Sequence, residues 1–227
     1  MDSNALFDAF RSDVVDEVAP HLWSSAEVWR YMDDAYTMFV RLTGGVSDVM
    51  TFDITAGEAV TEVSPKIMRY TEATLDSTGR PLTIINPQDK SRTFTSDYGQ
   101  ARILFNTKAP GDVRAMVIGG FRNRSRSEVT WIQLPEKDDT ATVEVFRLPL
   151  EPITAVGGQE FEDIGEEHHI HLLMWMKYHA YGKQDAETFD RGKRDGYKKD
   201  FEQYCALAKA EADRHRHKNR VVSYGGL

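Results

Sequence analysis

The run Glu166-Glu167-His168-His169-Ile170-His171 gathers imidazoles and carboxylates, the groups that ligate zinc and related metals. On a helix His168 and His171 share a face, but no second His-bearing motif supplies a third ligand, and His179 lies two turns further on. The competing reading is a helix entrance, where carboxylates suit the positive end of the dipole and the histidines are hydrogen-bonded or at an interface. That reading is preferred, so neither a metal nor a cofactor is expected. The adjacent pairs Asp33-Asp34 and Asp138-Asp139 diverge on a helix or turn and read as solvated surface, not as an acid/base couple. GxSxG, P-loop and GxGxxG patterns are absent, and the single cysteine, Cys205, sits among Tyr204, Ala206 and Leu207, where burial is expected over nucleophilic use. No catalytic residue is assigned and the chain is not read as an enzyme.

Two basic stretches stand out. Arg122, Arg124 and Arg126 alternate in a Gly/Ser/Asn-rich loop, and Arg214, Arg216, Lys218 and Arg220 load the carboxy-terminal end ahead of Val221, Val222, Tyr224 and Leu227. Either stretch has the charge to touch phosphates, although a solvated loop and a cationic helix end are commoner explanations. The final residues are too few to pack alone but carry apolar anchors, which suits a tail that orders on a partner.

These stretches lie in a chain of 227 residues with 28 Lys plus Arg, 36 Asp plus Glu and a net charge of −8. An acidic chain gains little from counterion release, so tight sequence-reading DNA binding is disfavoured. Absence of a long apolar run and of a secretory pattern predicts a soluble protein made in the cytoplasm, with no membrane partner.

Hydrophobic spacing predicts a short amphipathic helix over Asn4 to Val18, stopped by Pro20, and a second one from the capping box Ser24-Ser25-Ala26-Glu27 to Leu42, ended by Gly44-Gly45. From Val49 the period becomes two, and about seven strands are expected between there and Leu148: Val49 to Thr55, Val60 to Val63, Ile67 to Leu75, Leu82 to Ile85, Val113 to Ile118, Val129 to Leu134 and Thr142 to Leu148. Asp76 to Pro81 is a hairpin tip, and Asn86 to Thr107 reads as irregular. Helical spacing then returns in Glu166 to Gly182, apolar nearly all round, and in a long helix from Asp185 to about His215, striped by Phe189, Tyr197, Phe201, Tyr204 and Ala208. Gly192 and Gly196 within it suggest either a close helix approach or a kinked turn.

Neither terminal pair of helices can bury its aromatic stripe alone. The expected fold class is therefore α+β: a helical bundle formed by N- and C-terminal helices, with an inserted antiparallel β domain shaped as a small sandwich or barrel. The boundaries are 1–46 and 159–215 for the bundle, 47–158 for the β domain and 216–227 for an extended tail.

In this order of elements several stretches resemble the head-to-tail adaptor (connector) proteins of tailed bacteriophages. They are Leu22-Trp23-Ser24-Ser25-Ala26-Glu27-Val28-Trp29-Arg30-Tyr31-Met32-Asp33-Asp34-Ala35, Ile54-Thr55-Ala56-Gly57-Glu58, Phe146-Arg147-Leu148-Pro149, and the corner from Tyr178-His179-Ala180-Tyr181 to Asp185-Ala186-Glu187. Asn86 to Gly111 departs from the family in lacking its Trp-containing segment. The resemblance implies a structural virion protein at the capsid vertex, a ring of about twelve copies joining the portal protein to tail or nozzle proteins. Genomic DNA would pass through without sequence-specific binding. In that setting Arg214, Arg216, Lys218, Arg220, Val221, Val222, Tyr224 and Leu227 are expected to bind portal, and Arg122, Arg124 and Arg126 to face a neighbouring subunit or DNA. The alternatives are a nucleic-acid-binding module using the arginine loop and a metal-dependent enzyme built on His168 to His171.

Overall fold

Ser24 places its hydroxyl 3.3 Å from the Glu27 amide while the Glu27 carboxylate accepts from the Ser24 amide at 2.8 Å, so the reciprocal cap foreseen from the sequence opens helix α2, Ser25–Thr43. Gly44, at φ +106°, closes it. This is a computed structural model, and it describes residues 1–85, 110–119, 127–184 and 188–217. The fold class is α+β, and the chain divides into two compact units, one discontinuous (Met1–Gly45 with Pro149–Leu227) and one continuous (Val46–Leu148).

The discontinuous unit begins with α1, Ser3–Asp13, whose N-cap Asp2 accepts from the Ala5 amide at 2.8 Å. The helix stops well short of the expected Val18. Arg11 forms a buried ion pair with Asp16 and also donates to the Trp23 carbonyl at 2.6 Å, and the Asp16 carboxylate accepts from the Leu22 and Trp23 amides at 2.8 and 3.4 Å. These bonds fold the chain back on itself, and Val15 is held at φ +56°, a conformation that costs a β-branched residue on the order of 1–3 kcal/mol.

After the chain returns from the second unit, the expected single helix Glu166 to Gly182 is two: α3, Glu166–His169, and α4, Leu172–Gly182. At the joint the Leu173 and Met174 amides reach back three residues, to Ile170 and His171, and this tighter turn leaves Ile170 exposed instead of buried. Helix α5, Arg191–His217, starts later than the expected Asp185, which lies outside the described residues. Asp190 starts it: its carbonyl accepts from the Arg194 amide at 2.9 Å and its carboxylate from the Lys193 amide at 3.0 Å. Phe189 therefore precedes the helix and is exposed, while Phe201, Cys205 and Ala208 form the buried stripe. The close-approach reading of the α5 glycines is overturned, since both are exposed and a Cβ on Gly196 would meet open space.

The interior of this unit draws Leu6 and Phe10 from α1, Val28, Met32, Ala35 and Phe39 from α2, Leu172, Met176 and Ala180 from α4, and Phe201 from α5. Each such large side chain contributes roughly 1.5–3 kcal/mol on burial. Polar ties lock the two ends of the chain together: the Trp23 indole donates to the Ala180 carbonyl at 3.0 Å, and the Tyr36 hydroxyl donates to the Asp163 carboxylate at 3.1 Å. Residues 149–158 belong to this unit and not to the β unit as expected, because Ile153 is buried and its amide donates to Asp33 at 2.9 Å.

The continuous unit has ten strands among the described residues: β1 Val46–Ile54, β2 Val60–Glu62, β3 Ile67–Leu75, β4 Arg80–Pro81, β5 Thr83–Ile85, β6 Pro110–Gly111, β7 Ala115–Ile118, β8 Glu128–Ile132, β9 Leu134–Pro135 and β10 Asp139–Arg147. Sheet order is β1-β10-β3-β4 in one sheet and β2-β8-β7-β5 in the other, with β6-β9 as a small third ladder. The first and last strands pair antiparallel over their whole length, Val46 opposite Arg147 through Ile54 opposite Asp139. Contrary to the all-antiparallel expectation, β5 runs parallel to β7 and β6 parallel to β9. The Asp76 to Pro81 tip does make a hairpin, but only β4 continues it, and β5 then joins the other sheet. Phe52, Ile54, Leu75, Val143 and Val145 of one sheet share a core with Met116, Val129 and Trp131 of the other. The buried Trp131 keeps its indole N–H satisfied on the Thr61 hydroxyl at 2.9 Å.

Candidate functional site

The histidine run does not converge. His168 Nδ1 lies 2.8 Å from the Tyr204 hydroxyl of α5, and its ring rests against Phe39. His169 is buried, with its two ring nitrogens 2.8 Å from the Met1 carbonyl and 3.2 Å from the Ile164 carbonyl. His171 stacks on Tyr204 with ring centroids 3.7 Å apart. Burial first, and then the neighbouring His168, lowers the His171 pKa and favours its neutral form. Among the described residues no three His, Cys, Asp or Glu side chains gather as a metal-holding group. Tyr204, which sequence reasoning treated only as a packing residue, is the hub of this corner, and burial followed by the Glu167 charge raises its pKa.

The carboxylate pairs diverge as expected, yet they are not simply solvated. Asp33 holds Ile153, while Asp34 accepts from the Trp175 indole at 2.6 Å and from His179 at 2.7 Å. The His179 hydrogen bond foremost, with that of Trp175, keeps the Asp34 carboxyl below the ordinary aspartate range, against the opposing effect of burial. Asp138 and Asp139 cap turns, accepting from the Ala56 amide at 2.8 Å and from the Thr140 amide at 2.8 Å. Cys205 is buried and its thiol pushed up to about 12, first by burial and then by Glu202.

Of the residues expected to meet partners, Arg214 lies exposed near the end of α5, and Arg216 falls within the same helix. Lys218, Arg220, Val221, Val222, Tyr224 and Leu227 lie outside the described residues, as do Arg122, Arg124 and Arg126. The tail expected from 216 starts no earlier than 218, because α5 runs to His217.

A feature not foreseen is a cleft of about 300 Å³ where the start of α2, the end of α4 and the start of α5 meet. Its lining includes Glu27, Arg30, Tyr31, Tyr178, Lys183 and Arg194. Lys183 holds Glu27 at 3.0 Å and Arg194 holds Asp195 at 2.7 Å. Arg30 lies over the Tyr31 ring, 5.6 Å from its centroid, and forms no ion pair among the described residues. Tyr31 in turn stacks on His179 at 5.4 Å. With Lys183 paired to Glu27 and Arg194 to Asp195, Arg30 leaves this recess with a surplus positive charge, suited to receiving an anionic group. The signal was invisible because its residues are scattered from 27 to 194 and no local spacing links them.

A scan of the sequence against protein-family models and a search of curated proteins each return no match.

Proposed function

We propose that this protein is a structural connector of a tailed virus, forming a ring of about twelve copies between portal and tail and lining part of the DNA channel. The observation that carries the reading is the discontinuous helical unit: residues from both ends of the chain share one interior, while 46–148 fold as a unit of their own. This division supports the expected helical bundle with an inserted β module. The net charge of −8 per copy supports it as well, because an acidic lining repels phosphates and lets a duplex slide. The histidine geometry favours a packing role over metal chemistry.

In this reading the end of α5 and the residues after it, Arg214 to Leu227, dock on the portal, and the segment carrying Arg122, Arg124 and Arg126 faces a neighbour or the DNA. Truncation after Asp213 tests it, because the described buried residues of α5, Phe201, Cys205 and Ala208, precede that point. Co-sedimentation with the portal of the same virus is expected to fall by about tenfold or more, the equivalent of about 1.4 kcal/mol. Undiminished binding removes the tail from the account.

A further inference from the structure

Besides the basic cleft, the helical unit carries an unusual protrusion in the loop between α1 and α2. Val15 and Val18 are 88% and 81% exposed, and Glu17 between them is exposed too. Exposed valines are unremarkable on a mobile loop, but this loop is built. The buried Arg11–Asp16 ion pair, the Leu22 and Trp23 amides on Asp16 and the Lys183 contact with the Leu22 carbonyl pin it at several points. One of its apolar residues sits at a positive φ that glycine would adopt without strain. The surrounding structure thus holds a β-branched side chain outward against its own backbone preference.

We propose that the Val15-Glu17-Val18 knob of one copy seats in the Arg30-Tyr178-Arg194 cleft of a second copy, making a head-to-tail contact between subunits. The inference rests on the ring reading above and assigns its contact. The match is chemical. The knob offers a carboxylate flanked by two apolar side chains, and the cleft offers tyrosines beside cations, of which Arg30 alone lacks an ion pair among the described residues. Its net positive charge selects an acidic occupant, and on this chain the knob is an acidic, apolar and convex one. Val14 and Asp16, buried on either side of Val15, leave the Val15 side chain facing outward. Two different patches meeting across one contact is a heterologous interface, which propagates and closes into a ring if the rotation allows.

Charge reversal with rescue tests the contact in the full chain, followed by sedimentation velocity at low and high salt. Glu17→Arg and Arg30→Glu are each expected to weaken self-association about tenfold, and the two together in one chain to restore it to within about threefold. Both positions are exposed, so the fold tolerates the changes. Val15→Gly supplies an independent readout: association falls while the thermal midpoint holds or rises, a combination that a purely structural valine does not give. A chain that stays monomeric in low salt up to its solubility limit, or single reversals without effect, or a double reversal without rescue, overturns the proposal. If those variants still form rings on the portal, this contact is wrong and the connector reading stands. If the contact behaves as described but the chain has no affinity for portal, the connector reading falls alone.

Discussion

Asp34 shows how a side chain that sequence reasoning assigned to solvent acquires a structural role. Its carboxylate joins α2 to α4 through Trp175 and His179, and its folded pKa lies below the ordinary value, chiefly because of the His179 hydrogen bond. A depressed folded pKa gives stability that is present above the unfolded value and lost as pH falls through the folded one. Urea midpoints measured from pH 6 downward are therefore expected to fall below about pH 4, and Asp34→Asn to make that part of the profile flatter. His171 contributes with the same sign at higher pH: its neutral form is favoured in the fold, so stability declines as pH drops below about 6.5. At Cys205 the expectation is inertness. Iodoacetamide should leave the native protein unmodified at pH 8 and label it fully in denaturant, because the thiol is buried with its pKa at about 12. The burial of Cys205 was legible from its helical apolar neighbours. The partners of the histidines were not, because Tyr204 is remote in sequence from His168 and the Met1 carbonyl is remoter still from His169.

Elements whose limits depend on local chemistry were read well. The Ser24 box and the Gly44 stop of α2 involve residues within one turn of each other, and Ser24→Ala is expected to cost about 1 kcal/mol in chemical denaturation. Limits set by distant partners were misread. Nothing in the spacing of α1 announces that Arg11 will pair with Asp16 and end the helix, and nothing in Leu82 to Ile85 distinguishes a hairpin return from a parallel pairing with β7. At the α5 glycines the structure removes one of two readings, the close helix approach. Gly196 is exposed, mid-helix and without a neighbour at its missing Cβ, so Gly196→Ala should stabilise the protein by about 1 kcal/mol. A loss of stability in that variant contradicts the assignment of open space.

At the scale of the whole molecule, two physical facts shape the account. A chain that closes one interior from its two ends leaves its middle free to form a unit of its own, because the closure entropy of a long insert grows only logarithmically. An acidic chain that keeps a basic cleft offers an ordered docking place to an acidic surface, in keeping with the proposed self-contact. No helix among the described residues is long and apolar enough to cross a membrane. The most direct test is negative-stain microscopy of the purified chain mixed with the portal protein that the proposal pairs it with. The account predicts a rotationally symmetric collar of about twelve copies seated on one face of the portal. Bare portal rings, with this chain left free in the background at every mixing ratio, contradict it.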